Sequence, residues 1–491
     1  MTDGGGAWRR AALAVLLALG LSACRRDPAP QHFASNVALT HGTAVGEVAS
    51  NSAVIWARCA SAATLHVRLD GDAGEQSVAV GGETDFTGKL GFDALQPATA
   101  YAYRAWCGGD VETGEGGSFR TAPDPHAAAA VRFAWGGDVG GQNVCRDSQR
   151  GYPIFAELAA RSLDFFIGLG DMIYADDVCT AQGRFGNAQI PGPPAAFDVG
   201  TFWAHWRYNR ADAAFRQLLA RVPYYAVWDD HEIRNDAGAN DDATALAPGG
   251  RLLPIALRAF LDYQPLIPPG SDPTRLYRRV RWGRHLELFF LDTRQYRDAK
   301  AAPDTPAQHK TMLGREQLVW LEAALADSDA TWKVIVCSVP LSIPTSPETH
   351  DGFANAGGSG GYEREALRLF DALRARGIRD SVWITTDVHF ATGFVYHPFA
   401  GDPGWATYEF TSGPLSAGVF PTRALDQTLG PERLFFYAPP SSDAIASFDE
   451  ALGWFNFGLV DIGDDGGLRI SIVNGRGATV FTHAVSRTPV E

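Results

Sequence analysis

The sequence predicts an α/β fold with a small all-β unit in front of it, and three observations carry that reading. Residues from about 33 to 123 hold short alternating runs separated by Gly, Asp and Pro turns, as in Thr64-Leu65-His66-Val67-Arg68-Leu69. From Val131 the rhythm changes to apolar strand-like runs alternating with stretches of helical spacing. Four of those apolar runs end in side chains able to hold metal: Trp135-Gly136-Gly137-Asp138, Leu169-Gly170-Asp171 with Tyr174 beyond it, Val227-Trp228-Asp229-Asp230-His231-Glu232, and Ile384-Thr385-Thr386-Asp387-Val388-His389. Open α/β sheets place their chemistry at such strand ends.

The 491 residues, 46% of them hydrophobic, are enough for two or three domains of about 150 residues. A formal net charge of −14 argues against sequence-independent nucleic-acid binding, which needs a clustered basic surface. The first segment, 1–24, stands outside the fold. Arg9-Arg10 precede an apolar stretch from Ala11 to Leu21 that is too short for a permanent membrane span, and it ends in Leu21-Ser22-Ala23-Cys24. This layout resembles a bacterial lipoprotein signal with Cys24 as the lipidated residue, and the arginine pair resembles a twin-arginine signal. The expectation is an exported protein, periplasmic or anchored to the outer membrane through lipid on Cys24. Export makes the five remaining cysteines candidates for disulfides. Cys59 and Cys107 each end a strand-like run, Cys145 and Cys179 each lie beyond a proposed ligand segment, and Cys337 follows the apolar run Val334-Ile335-Val336. A bridge from Cys145 to Cys179 would brace two site loops, and a thiolate ligand at Cys145 is the alternative.

Along the chain, residues 33–123 read as a β-sandwich, in which Leu95-Gln96-Pro97 followed by Tyr101 and Tyr103 looks like the turn and tyrosine-bearing strand of a fibronectin type III-like module. Thr121-Ala122-Pro123-Asp124-Pro125 forms a linker. The catalytic region is expected over 131–491. Strands are predicted at Val131–Trp135, Asp164–Leu169, Tyr224–Trp228, His285–Leu291, Trp332–Cys337 and Val382–Thr386, with helices at Pro153–Leu163, Gln317–Leu325 and Arg364–Arg376. Gly- and Pro-containing insertions at 175–200 and 236–254 follow ligand candidates directly and are expected to shape a pocket mouth. The tail alternates again around Gly463-Asp464-Asp465-Gly466-Gly467, predicting a β-hairpin docked on the main sheet.

Two neighbouring cations can hold a phosphate, activate water and neutralise a leaving oxygen, and they need a bridging carboxylate with separate ligands on each side. Asp171 is the natural bridge. Tyr174 offers a phenolate, a hard donor that favours Fe(III). His389 brings an imidazole, and Asp138, Asp230 and Asp387 bring carboxylates suited to Fe, Mn, Mg, Ca or Zn. A single strand-end Asp is most often a cap or turn residue; four such endings in one chain point to a built site. His231, next to Asp230, is placed to donate a proton to a leaving oxygen. Arg294, just past a strand end, is the best guanidinium for a bidentate phosphate contact.

The set Asp138, Gly-Asp171-x-x-Tyr174, Trp-Asp229-Asp230-His231-Glu232 and Asp387-x-His389 resembles the metallophosphoesterase pattern of the PhoD-type alkaline phosphatases, relatives of purple acid phosphatases. The resemblance extends over Trp203 to Arg207, Asp292-Thr293-Arg294-Gln295-Tyr296-Arg297 and Thr411-Ser412-Gly413-Pro414. It implies an α+β sandwich-type catalytic domain and an iron-like ion held by Asp138, Asp171, Tyr174 and His389. A divalent ion (Ca, Mn, Zn or Mg) would be held by Asp171, Asp230 and Asp387, with Asn235 a further ligand. It also implies phosphate mono- or diester hydrolysis by a metal-bound hydroxide; a monomer is expected. Many members carry a cysteine near the end of the first strand where this chain has Asp138; Asp138 and Cys145 therefore compete for one place, with Asp138 favoured by its position nearer the strand end. A phospholipase D-like diesterase on the same fold and a non-catalytic envelope lipoprotein are the alternative functions.

Overall fold

The computed structural model describes residues 36–486 apart from 72–73, 110, 241–250, 309, 346–349, 380 and 403. The expected signal segment and Cys24 lie outside the described residues. Eight strands occupy the first part: β1 (Asn36–Val37), β2 (Leu39–Gly46), β3 (Ala53–Cys59), β4 (Ala63–Leu69), β5 (Glu75–Val80), β6 (Thr87–Phe92), β7 (Ala100–Gly108) and β8 (Glu115–Arg120). The alternation read in Thr64 to Leu69 is that of β4, whose odd-numbered side chains are all buried. Strands β1, β7, β4 and β5, with β8 on β7, form one sheet. The disulfide Cys59–Cys107 ties β3 to β7.

Strands β2, β3 and β6 do not stop at the sandwich. They continue a nine-stranded sheet in the order β21-β20-β19-β9-β10-β11-β2-β3-β6, where β9 is Val131–Gly136, β10 Phe165–Leu169, β11 Tyr224–Val227, β19 Asn456–Ile462, β20 Leu468–Asn474 and β21 Thr479–Val485. The join is a single parallel pair, Gly46 opposite Tyr224. Strands β9, β10 and β11 are parallel and almost continuously apolar, as strands covered on both faces must be. The tail hairpin lies antiparallel on β9 and gains a third strand, β21.

A second, seven-stranded sheet runs β12-β13-β14-β15-β17-β16-β18. Its strands are β12 (Arg278–Trp282), β13 (Leu286–Phe290), β14 (Trp332–Val336), β15 (Ser381–Thr385), β16 (Ala391–Tyr396), β17 (Thr407–Thr411) and β18 (Pro431–Tyr437). Between the sheets lies one apolar core, in which Phe133, Trp135, Ile167 and Leu169 of the first pack with Leu288, Phe290, Val334 and Ile384 of the second. Helices α1 (Pro153–Ala159), α2 (Val199–Arg210), α3 (Ala213–Leu219) and α4 (Leu252–Tyr263) cover the outer face of the first sheet. On the second sheet, α5 (Gly314–Asp327) and α6 (Glu363–Ala375) do the same. The result is a four-layer α/β/β/α sandwich with a β-rich N-terminal part. The six catalytic-region strands read from the sequence sit within one residue of their predicted ends, because each is a short apolar run bounded by polar or glycine residues.

The N-terminal strands are locked to the helices by buried polar contacts. Lys89 of β6 donates to the carbonyls of Leu261 and Leu266 at the end of α4, at 2.6 and 2.8 Å. Asp85 takes both forks of Arg58 at 3.1 Å, Arg207 of α2 at 2.5 Å and the Tyr263 hydroxyl. Among the described residues no helix is long and apolar enough to cross a membrane.

Candidate metal centre

The C-terminal ends of β9, β10, β11 and β15 converge, and each delivers one of the four sequence-predicted segments. Asp138, Asp171, Asp387 and His389 all sit at left-handed backbone positions, with φ of 65, 52, 76 and 61°. A non-glycine residue pays about 1–2 kcal/mol for that conformation, so four together mark backbone held in place by its surroundings. Gly170 is required beside them: a Cβ on it would stand 2.6 Å from the Asp229 Cβ, closer than two carbon atoms can lie. The ends of β9 and β10 are also bonded directly, Val139 N–H donating to the Asp171 carbonyl at 2.8 Å.

On one side of the site, the Tyr174 hydroxyl lies 2.9 Å from His389 Nε2, which is 3.4 Å from Asp138 Oδ1. His389 Nδ1 faces the Gly418 carbonyl at 2.5 Å, an arrangement that leaves Nε2 as the donor atom toward the site. The spacings match the ligand-to-ligand edges, about 3 Å, of an octahedron with bonds of about 2.1 Å. On the other side, Asp171, Asp229, Asp230 and Asp387 each place a carboxylate oxygen within 4.8 Å of the others; Asp171, Asp230 and His231 make an overlapping set, and Asp230, Asp236 and Asp351 a third. Asp138 Oδ1, Asp171 Oδ2, Asp229 Oδ2, Asp230 Oδ1 and Asp387 Oδ2 are buried with no hydrogen-bond partner. Anionic oxygens left this way are costly, and hard cations are the groups that this all-oxygen and imidazole donor set fits.

The electrostatics follow from that crowding. Burial pushes Asp138 up to about 7 and Asp229 up to about 6, with neighbouring carboxylates adding to it; Asp171 and Asp387 are raised well above the carboxylate range for the same reasons. Burial likewise holds the Tyr174 phenol well above its ordinary value, and pulls His389 down to about 3, keeping the imidazole neutral as a ligand must be. Burial works against a charge on His231, but Asp176 and Asp230 outweigh it and push its pKa up to about 10. Asp176 Oδ1 accepts from His231 Nδ1 at 2.7 Å and its Oδ2 accepts the Asn235 N–H at 2.8 Å. The Tyr174 ring stacks on His231 with centroids 4.0 Å apart.

Seven of the nine sequence-predicted residues thus stand together: Asp138, Asp171, Tyr174, Asp230, His231, Asp387 and His389. Arg294 stands behind them, fully buried and already committed. Its Nε and Nη2 lie 2.5 Å from Asp229 Oδ1, and its Nη1 is 3.0 Å from Asp351 Oδ1, which also pairs with Arg297 at 2.5 Å. A guanidinium so engaged is not free to grip a phosphate. Asn235 is exposed and meets the site through its backbone, while Asp236 beside it joins Asp230 and Asp351. Cys145 is bonded to Cys179, linking the loops that follow β9 and β10, so its sulfur is not a thiolate, whereas Asp138 stands with the other carboxylates of the cluster. Cys337 is a buried free thiol. Asp176, Asp236 and Asp351 are not among the sequence-predicted residues; only Asp176 carries a local signal, two residues beyond Tyr174. Of the two loops expected at the mouth, 175–198 runs between β10 and α2, and the second lies partly outside the described residues.

Residues 133–463 match the family described as PhoD-like phosphatase, and residues 24–123 match its N-terminal domain. Alkaline phosphatase D of Bacillus subtilis (strain 168) is 26% identical over 318 residues, 60% of this chain and 52% of that protein; the match thus spans about half the length of that curated relative. Among solved structures, one described as the structure of PhoD superposes with a TM-score of 0.72 at 19% identity, covering 94% of each chain. Purple acid phosphatase PPD1 from yellow lupin (Lupinus luteus) superposes with a TM-score of 0.61 at 12% identity, covering 92% of this chain and 75% of that one. At these identities the two structures establish the fold.

Proposed function

Because the chain belongs to the PhoD-like phosphatase family, we propose that it is an exported phosphoesterase that hydrolyses phosphate mono- or diesters at a two-cation site. The observation that carries the reading is the convergence of Asp138, Asp171, Asp230 and Asp387, each with a buried oxygen that accepts no hydrogen bond. Asp138, Asp171, Tyr174 and His389 would hold one ion, with the phenolate favouring Fe(III); Asp171, Asp230 and Asp387, joined by Asp229, would hold a divalent ion. Two such ions supply charge neutralisation and water made acidic enough to react near neutral pH. The chain's own groups do the rest. Asp176 holds the His231 ring through Nδ1 and favours its charged form, which leaves the other ring nitrogen to deliver a proton to a leaving oxygen. Asp229, pinned by Arg294 and by the Ser338 hydroxyl at 2.8 Å, is fixed in orientation. With Arg294 engaged and Arg423 Nη1 donating to the carbonyls of Pro344 and Thr345, Arg184, whose charge acts on His389, is the guanidinium we assign to phosphate oxygens.

Two disulfides support export, and membrane attachment through Cys24 is proposed with it. The deciding experiment compares p-nitrophenyl phosphate with its bis-ester, using protein stripped by chelator and reloaded with Fe, Ca, Mn or Zn. Hydrolysis of either ester that needs two ions supports the reading, and their ratio sets the substrate class. Hydrolysis indifferent to chelation, or retained when Asp171→Asn removes the bridge, overturns it. The expected loss in that variant is about a thousandfold, equivalent to about 4 kcal/mol of transition-state stabilisation.

A further inference from the structure

We propose that Glu232 is a positioning residue: its carboxylate clasps the ends of β10 and β11 together and thereby sets the cation affinity of the centre. This rests on the metal-centre reading above and goes one layer deeper into it. The Glu232 side chain is 1% exposed and accepts three backbone N–H groups, Asp171 at 2.9 Å and Asp229 at 2.7 Å on Oε2, and Met172 at 2.8 Å on Oε1. Two of the three donors belong to residues whose own carboxylates face the cluster. No other described side chain takes N–H groups from both strand ends.

The clasp answers a local problem. After β10 the chain turns through two consecutive left-handed residues, Gly170 at φ 99° and Asp171 at φ 52°, and so leaves the ladder before its N–H groups can pair within a sheet. Buried N–H groups without partners are destabilising, and a left-handed Asp is retained only where neighbours over-determine it. Glu232 supplies acceptors for both Asp171 and Met172. It reaches back over its own turn as well, to Asp229 three residues earlier, the way a capping side chain holds the start of a helix. The turn is closed from the other side by the His231 N–H, which donates to Asp171 Oδ1 at 3.1 Å. The Asp171 carboxylate is therefore aimed twice, through its backbone by Glu232 and through its oxygen by His231. Side chains that orient a ligand from behind typically change metal affinity 10–100-fold when altered.

Two variants separate this role from general support of the fold. Glu232→Gln keeps the length but offers one acceptor oxygen in place of two. Glu232→Asp keeps both oxygens but shortens the reach by one methylene. The full chain, stripped with chelator, is titrated with Mn(II) by calorimetry, and the melting temperature of the stripped protein is measured alongside. Both variants are expected to raise the Mn(II) Kd 10–100-fold while the stripped protein melts within a few degrees of the parent. A Kd within threefold of the parent in either variant overturns the proposal, as does a loss of binding matched by collapse of the stripped protein, which would make Glu232 a purely structural residue. A parent protein that binds no Mn(II) at all would instead sink the metal-centre reading itself.

Discussion

Tyr174 is the residue whose role can be read by eye. If it binds a ferric ion, the loaded protein should carry a visible phenolate-to-iron absorption, and Tyr174→Phe should abolish it; a band that survives the change assigns the colour to another ligand. Arg184 offers the complementary test on substrate. Its removal by Arg184→Ala is expected to raise KM for p-nitrophenyl phosphate about tenfold, the worth of one charge-assisted hydrogen bond of about 1.4 kcal/mol, with little effect on kcat. An unchanged KM would remove it from the substrate's reach. The carboxylates, Tyr174, His231 and His389 were legible in the sequence because each follows an apolar run that only a strand explains. Arg294 was misread for the same reason: its place after β13 suggested a substrate contact, and nothing local reveals that Asp229 and Asp351, 65 residues before it and 57 after, share its guanidinium. Long-range ion pairs between loop residues leave no periodic trace.

Strands β9, β10, β11 and β15 were placed by hydrophobic run length alone, since strands buried on both faces have no alternation to lose. What remained illegible was the seam between sandwich and main sheet, because the Gly46–Tyr224 pair joins strands almost 180 residues apart in sequence. Polar contacts add to the apolar packing along that seam. Lys89 is half-buried, desolvation pulls its pKa down to about 8, and it offers its protons to the carbonyls of Leu261 in α4 and Leu266 just beyond it. Lys89→Met should therefore lower stability by about 1.5–3 kcal/mol, the range for hydrogen bonds made by a charged group, while leaving metal affinity in place. A melting temperature equal to that of the parent would show that the seam depends on apolar packing instead.

Across the whole molecule, the density of acid at one end of the sandwich couples folding to metal and to pH. In the metal-free protein Asp138 is held at about 7, Asp229 at about 6 and Glu232 at about 8, by burial first in each case. Their folded values lie above the unfolded carboxyl range near 4, so these groups favour the folded state most below that range and progressively less as pH climbs from 4 toward 8. Bound cations cancel that loss. The gap in melting temperature between loaded and stripped protein should widen from pH 5.5 to pH 8, as differential scanning at both values can establish; a gap that stays constant or narrows would show that Asp138 and Asp229 are not the acids the cations meet. The disulfide between Cys145 and Cys179 adds a matter of timing. If the protein is exported as proposed, the loops beyond β9 and β10 lack their covalent fastening until the chain meets an oxidising compartment. The covalent fastening at the rim of the reaction centre would then be completed after export, so reduction of that bond should loosen the rim while both sheets keep their hydrogen-bonded ladders.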